Sequence, residues 1–122
     1  MSSLNRSGWY AGNGRIDGAA DRGWIIGYFM AGRSDIRTTS DVEIKWSDHS
    51  IDDRQDEWQS SVGSSVSILV SGAMTIEFRD GVAKLEKPSD YVIWSGGVAH
   101  RWHAPAAAKV LTVRWPSVRP DS

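Results

Sequence analysis

The chain contains no cysteine, and this absence excludes several kinds of site at once. Without a thiol there is no disulfide, no zinc held by thiolates and no cysteine nucleophile. A chain with no cysteine also fits a reducing compartment. At 122 residues it is long enough to bury a core without a disulfide or a structural metal, so the sequence predicts one domain.

Excess charge of one sign and long apolar runs are missing as well. The 14 basic and 15 acidic residues give a formal net charge of −1, which creates no field that would attract nucleic acid or an anionic membrane. No segment approaches the roughly 20 apolar residues of a membrane helix, and the first residues lack the apolar run of a signal peptide. We therefore expect a cytoplasmic protein without nucleic-acid or membrane partners.

The first 21 residues differ in composition from the rest. They are rich in glycine and small polar residues, which predicts a loop or a loosely docked arm and no regular element. The spacing of Gly12, Gly14 and Gly18 misses the dinucleotide-binding fingerprint by one residue, and no strand precedes it, so a phosphate loop is not expected. The sequence thus divides into an arm at 1–21, one β-barrel domain at 22–117 and a tail at 118–122.

From residue 24 onwards, short runs of β-branched and aromatic residues alternate with turn residues. We predict strands at residues 24–30, 42–46, 65–71, 74–79, 82–86, 91–94 and 109–115, and a further strand after Gly97. In the second of these, the apolar residues fall on one side and Glu43 and Lys45 on the other, as in a half-buried strand. Residues 47–57 are polar and predict a surface loop, and Asp80-Gly81 predicts a tight hairpin. About eight strands without helical periodicity predict an all-β sandwich or barrel.

Residues 89–103 combine a strand, a glycine turn and two imidazoles. The strand ends at Gly96-Gly97, and the chain restarts with His100 and Trp102 on one side of an extended segment. Arg101 and His103 fall on the other side. This pattern can direct one histidine into the interior of a barrel.

The order of elements from residue 42 to residue 115 resembles a cupin, the small double-sheet jelly-roll barrel. The second cupin motif is a glycine, five residues, Pro-x-Gly, two residues, a histidine, three residues and an asparagine. Gly97 and His100 fill their slots, and Asp90 is the acid that commonly follows the first glycine. Three positions depart from the motif, which are Ser89, Ser95 and Ala104.

The first cupin motif, His-x-His, three or four residues, Glu, six residues, Gly, supplies most metal ligands and is poorly kept. With Gly72 as its last residue, the glutamate slot falls on Ser65, and the histidine slots fall on Gln59 and Ser61 or on Trp58 and Ser60. A register that ends at Gly63 puts Asp56 and His49 in ligand slots but places Ile51 in the other histidine slot. The resemblance to small bacterial cupins therefore implies the jelly roll and an interior pocket, and we expect no tightly bound metal. If a divalent metal is bound, its ligands are expected to be His100, His49 and Asp56.

The implied pocket is aromatic, because the chain has seven tryptophans and tryptophan favours cores or pocket walls. Arg114 faces either solvent or the cavity on the last strand, and in the cavity its guanidinium would suit a carboxylate or phosphate. The function expected first is the binding of a small polar ligand. The residues expected to contact it are His100, Trp102, Trp58, Trp94 and Arg114.

Two further expectations follow. As an alternative to simple binding, the chain could be a cupin enzyme, an isomerase, a lyase or a metal-dependent dioxygenase. In that case His100 would act as general base or metal ligand, and Glu57 is the second catalytic candidate. A homodimer is also expected, because the edge strand predicted at residues 24–30 would be left unpaired.

Overall fold

The structure is a computed structural model that describes residues 8–33 and 36–118. It contains one short helix, α1 (Gly14–Asp17), and two 3₁₀ turns at Ala19–Asp21 and Tyr28–Met30. The nine strands are β1 (Trp24–Ile26), β2 (Glu43–His49), β3 (Arg54–Gln59), β4 (Ser64–Ser71), β5 (Met74–Phe78), β6 (Gly81–Leu85), β7 (Tyr91–Trp94), β8 (His100–His103) and β9 (Ala108–Trp115).

The strands form two antiparallel sheets. The five-stranded sheet has the order β1-β2-β9-β4-β7, and the four-stranded sheet has the order β3-β8-β5-β6. Neighbouring strands are therefore mostly distant in sequence, as the long β2–β9 and β4–β9 ladders show. The predicted all-β, double-sheet jelly roll is confirmed.

The core lies between the inner faces of the two sheets, toward one end. Leu69 and Val110 from the first sheet pack against Met74, Ile76 and Leu85 from the second. Met74, Ile76 and Phe78 alternate along β5 toward this core, since the first two are buried and the third packs on the same cluster. The apolar core at this end leaves the other end of the interior to polar side chains.

Two glycine turns set the direction of the strands that reach the interior. Gly72, between β4 and β5, has φ +84° and lies so close to Ala107 that a Cβ would collide with the Ala107 carbonyl. Gly97, between β7 and β8, has φ +83°. Residues with a side chain rarely adopt this left-handed backbone conformation, whereas glycine adopts it freely. Gly97 therefore permits the turn after which β8 runs along the cavity.

Several predicted elements are corrected. Residues 47–57 are not a surface loop, because β2 continues to His49 and β3 begins at Arg54, each paired along a neighbouring strand. The strand predicted at residues 24–30 ends at Ile26 and continues as a 3₁₀ turn. The predicted hairpin between β5 and β6 exists, but Phe78 pairs with Gly81, so the turn residues are Arg79 and Asp80.

The N-terminal segment is also more regular than predicted. Residues 1–7, like residues 119–122 of the predicted tail, lie outside the described residues, but Gly14–Asp17 forms a helical turn capped by Asn13, whose side chain accepts from the Ile16 N–H. Arg15 makes two hydrogen bonds to the Asp48 carboxylate on β2, at 2.7 and 3.0 Å. These bonds lower the pKa of Asp48 to about 2. The segment is therefore docked on the outer side of β2.

The docking of α1 explains why β2 is turned opposite to expectation. A Cβ on Gly14 would lie 3.3 Å from Cβ of Trp46, so the helix covers the apolar outer side of the strand. The alternate side, with Glu43 and Lys45, faces the interior. In the part of the chain that the structure describes, no helix is long and apolar enough to cross a membrane.

Candidate functional site

A cavity of about 110 Å³ lies between the two sheets. Trp94 and Trp102 form part of its aromatic wall, with Trp24 from the edge strand β1. Met74 and Ile76 of the core line its apolar side. The predicted placement of His100 and Trp102 in one interior cavity is what the structure shows.

A second recess of about 240 Å³ adjoins this cavity. The two share Trp24, Gln59, His100 and Arg114, which therefore form the boundary between them. The recess is lined further by polar and backbone groups at residues 60–63 of the segment after β3. A ligand could extend from the cavity into this recess across the four shared residues.

Each of two histidines in the cavity wall packs against a tryptophan ring in a tilted arrangement. The ring centroid of His100 lies 4.7 Å from that of Trp94, and the ring centroid of His49 lies 4.5 Å from that of Trp102. Sequence reasoning left His49 in a polar loop, whereas it is the last residue of β2 and its side chain is 14% exposed. The continuation of β2 along β9 brings it inward.

Both histidines are held through Nδ1. In His100 this nitrogen lies 3.1 Å from the Val98 carbonyl oxygen, and in His49 it lies 3.3 Å from Oδ2 of Asp53. A carbonyl or carboxylate oxygen only accepts, so Nδ1 carries the proton in each ring. In the neutral form, Nε2 of each ring is then left as a hydrogen-bond acceptor or a base.

Glu43 and Arg114 form an ion pair across β2 and β9. The two residues are directly opposite each other, and Nη1 of Arg114 donates to Oε1 of Glu43 at 3.0 Å. The Ser117 hydroxyl donates to the other carboxylate oxygen at 2.8 Å. Both oxygens of the buried Glu43 side chain are therefore occupied, and the rest of the Arg114 guanidinium faces the cavity.

Lys45 places a second cation in the cavity wall. It is directly opposite Thr112 on β9, two residues from Arg114 on the same face. Burial lowers the pKa of Lys45, and the positive charges of Arg114 and Arg22 lower it further. The ammonium has no carboxylate partner among the described residues, and it lies near the Trp24 ring, with Nζ 5.5 Å from the ring centroid.

Three buried polar atoms near the cavity lack a hydrogen-bond partner within the described chain. They are Ser65 Oγ, Trp94 Nε1 and Arg114 Nε. Ser65 pairs with Arg114 on one side and with Trp94 on the other, so the three side chains form one row across the sheet. Buried polar groups are nearly always paired, so this row is a place where a partner is expected.

Trp58, predicted to line the pocket, lies elsewhere. Its neighbour Gln59 is in the cavity wall, and successive side chains of a strand alternate, so Trp58 lies on the outer face of the four-stranded sheet. There its ring contacts two guanidinium groups, with Cζ of Arg79 at 4.1 Å and Cζ of Arg101 at 4.4 Å from the ring centroid. Of the two arrangements considered for the first cupin motif, the one with Gln59 in a histidine slot fits this geometry.

Asp56, the expected metal ligand, and Glu57, the second catalytic candidate, do not lie near His100. The Asp56 side chain is exposed and lies 3.8 Å from Arg54, while its backbone carbonyl accepts from Arg101. Glu57 is exposed, and its backbone carbonyl accepts from the Gln55 side chain. Both lie where β3 shifts register against β8, between Gln55 and Gln59, and neither lines the cavity.

The cavity does not fit a divalent cation. Among the residues described, no three His, Asp or Glu side chains are grouped so as to hold a metal ion, so His100, His49 and Asp56 are not assembled. The cavity wall has two imidazoles but no carboxylate, and it carries two cations that would repel a metal.

Sequence reasoning missed several residues of the cavity wall. Lys45 was not considered as a site residue, Gln59 entered only as the occupant of a histidine slot, and Trp24 was treated as part of an edge strand. One signal was available: Glu43 and Lys45 alternate on β2 as Thr112 and Arg114 alternate on β9. The polar faces of β2 and β9 are directly opposite each other in the ladder, and together they line the interior.

The sequence matches no protein-family model, and no curated protein has a matching sequence. The fold is similar to solved structures. KdgF from a Halomonas species superposes with a TM-score of 0.60 at 18% identity, over 68% of this chain and 76% of that protein. An RmlC-like cupin from Shewanella frigidimarina NCIMB 400 gives 0.59 at 16% identity, over 67% and 71% of the two chains.

A cupin superfamily protein from Desulfitobacterium hafniense DCB-2 has a TM-score of 0.58 at 17% identity, over 63% of this chain and 69% of its own. Identities this low show the fold alone. The chain thus has the double-sheet jelly roll of these solved structures.

Proposed function

We propose that this cupin domain binds a small polar molecule in the cavity between its sheets. The observation that carries the proposal is the row of unpartnered buried polar groups, Ser65, Trp94 and Arg114, beside an aromatic cavity. The cavity wall combines three indole rings and the aliphatic side chains of Met74, Ile76 and Val110 with polar side chains, so it offers a ligand both apolar contact and fixed polar groups. His100, Trp102, Trp94 and Arg114 are the proposed ligand contacts, and Trp58 is withdrawn from the set.

The cavity volume limits the size of the ligand. One water-sized site needs about 10–15 Å³, so 110 Å³ gives room for roughly seven to eleven non-hydrogen atoms. A larger ligand would have to extend into the adjoining recess.

A thermal-shift screen tests the proposal. Small acids, sugars and nucleosides should include compounds that raise the melting temperature of the wild-type protein, because a ligand that binds only the folded state stabilises it. The stabilisation should disappear in His100→Ala and persist in Trp58→Ala, whose altered side chain lies on the outer face. Loss of the effect in both variants, or in neither, would contradict the proposed site.

Catalysis is the second candidate function, and the geometry of the two histidines favours it. Each ring is held through Nδ1, which leaves Nε2 of the neutral form able to accept a proton from a ligand in the cavity. A metal-free isomerase or lyase fits this arrangement better than a dioxygenase, given the cations in the wall. Exchange of ligand hydrogens with deuterated solvent, lost in His100→Ala or in His49→Ala, would support catalysis.

Two expectations from the sequence stay predictions. Elemental analysis of the purified protein should find no stoichiometric transition metal, and one equivalent that is lost in His100→Ala would contradict this. The cytoplasmic location is the other, and a fluorescent fusion in the source cell would test it.

A further inference from the structure

The charges around the cavity are unbalanced. The described residues that line it include Lys45 and Arg114 but no aspartate or glutamate. Glu43, the carboxylate paired with Arg114, uses one oxygen for Arg114 and the other for Ser117. Glu43 therefore offsets one cation and leaves Lys45 without a counter-ion.

The two cations are close enough to act on one small group. Lys45 is opposite Thr112, and Arg114 is two residues further along β9, so the two are diagonal neighbours with Cβ atoms about 7–8 Å apart. Both lie against the same indole, with Cζ of Arg114 at 4.8 Å and Nζ of Lys45 at 5.5 Å from the centroid of Trp24. A group bound between the two cations would contact that ring as well.

The free donors also indicate an anion. Arg114 has an unpartnered Nε, and Trp94, two strands away in the same row, has an unpartnered Nε1, which can only donate. Donors of this kind are satisfied by acceptor oxygens and not by a cationic group. Carboxylates are the small groups whose two oxygens match a guanidinium.

Resting on the proposed function, we infer that the ligand is a carboxylic acid bound as its anion. Lys45 and the free side of Arg114 hold the carboxylate beside Trp24, and the body of the molecule lies against Trp94 and Trp102. The size limit makes this a small acid, for which benzoate, with nine non-hydrogen atoms, is a suitable probe within the range of roughly seven to eleven.

Isothermal titration calorimetry at pH 7 with three probes of one shape tests the charge. Benzoate, benzamide and benzylammonium are anionic, neutral and cationic, and they occupy nearly the same volume. Benzoate should bind at least about tenfold more tightly than benzamide, and benzylammonium should give no heat of binding. Equal binding of benzoate and benzamide would overturn the inference and leave the proposed function standing.

Variants then assign the effect to the two cations. Lys45→Met should weaken benzoate about tenfold or more and leave benzamide unchanged. Arg114→Gln leaves Glu43 buried without its partner, so the double variant Glu43→Gln/Arg114→Gln is the sounder second test, with the same expected loss. Arg79→Gln, on the outer face beside Trp58, is the matched control and should bind benzoate as the wild type does.

The two failures can be told apart. If Lys45→Met and the double variant bind benzoate as the wild type does, the carboxylate is not held by these cations and the inference is wrong. If none of the probes binds and the wider screen also gives no thermal shift, the proposed function fails and the inference fails with it.

Discussion

Arg114 lies directly opposite Glu43 across the β2–β9 pair, and its Nη1 donates to Oε1 of a glutamate side chain that is only 7% exposed. The Glu43–Arg114 ion pair has two roles. It satisfies a buried carboxylate that the fold has turned inward, and it fixes the guanidinium whose remaining donors face the cavity.

The first prediction concerns this ion pair. Arg114→Gln should lower the free energy of unfolding by about 3 kcal/mol, because it leaves the Glu43 carboxylate buried without its cation. Glu43→Gln/Arg114→Gln should recover much of that loss, since no charge is then left unpaired. Urea unfolding of the single and double variants measures the coupling. Additive effects of the two changes would mean that the pair contributes nothing of its own.

The second prediction concerns pH and Lys45. Its pKa in the folded protein is lowered from the ordinary value near 10.5, so the unfolded chain binds more protons between the two values. Stability of the wild type should therefore rise with pH across that window. Lys45→Met removes the buried charge and should be more stable than the wild type at pH 7, with a gain that shrinks as the pH approaches 10.5.

Urea unfolding at several pH values follows this difference. Lys84→Met is the control, because Lys84 is exposed on β6. A Lys45→Met protein that is less stable than the wild type at pH 7 would show that the ammonium has a favourable partner that the geometry does not contain.

The third prediction separates core from site. Ile76→Ala should cost about 2–5 kcal/mol, because it opens a space in the packed cluster around Leu69 and Met74. His100→Ala should cost only about 1–2 kcal/mol, since it removes one hydrogen bond and a half-exposed ring contact. If His100→Ala lowers the free energy of unfolding as much as Ile76→Ala does, the His100 ring belongs to the core. The His100→Ala variant would then not be a specific test of ligand binding.

The fourth prediction is a homodimer that forms through β7. This strand is an edge of the five-stranded sheet, and its outward residues Tyr91 and Ile93 are 65% and 57% exposed. An unpaired edge with apolar side chains favours pairing with a second copy of itself. Sedimentation at micromolar concentration should give about twice 13.5 kDa for the wild type and a monomer for Ile93→Lys.

Val82→Lys is the matched control for the dimer. Val82 is 55% exposed but lies on β6, in the other sheet, so its replacement should leave the dimer intact. A wild-type protein that sediments as a monomer excludes the interface altogether.

The jelly roll and the position of His100 could be predicted from the sequence because their signals are local. The alternation after Gly97 puts His100 and Trp102 on one side of β8, and the resemblance of Gly97 and His100 to the second cupin motif implies that this side faces inward. The apolar alternation on β5 fixes the core in the same way. These predictions need no knowledge of distant parts of the chain.

The errors arise where distant contacts decide the outcome. The apolar side of β2 faces outward because α1 covers it, so Glu43 and Lys45 turn inward against the ordinary rule. Residues 47–49 extend β2 because β9 supplies the hydrogen-bond partners, although their composition is that of a loop. Trp58 was placed in the pocket on its apolar character alone, but alternation from Gln59 puts it on the opposite face.

The central claim is that the cavity between the sheets is the ligand site, and the tryptophan indole N–H signals report on it directly. In ¹H–¹⁵N NMR, the compound with the largest thermal shift should move the indole signals of Trp94 and Trp102 saturably and leave that of Trp58 unchanged. The same affinity should be obtained from both cavity signals. Saturable movement of the Trp58 indole with Trp94 and Trp102 unaffected would contradict the account, because the ligand would then bind on the outer face of the four-stranded sheet.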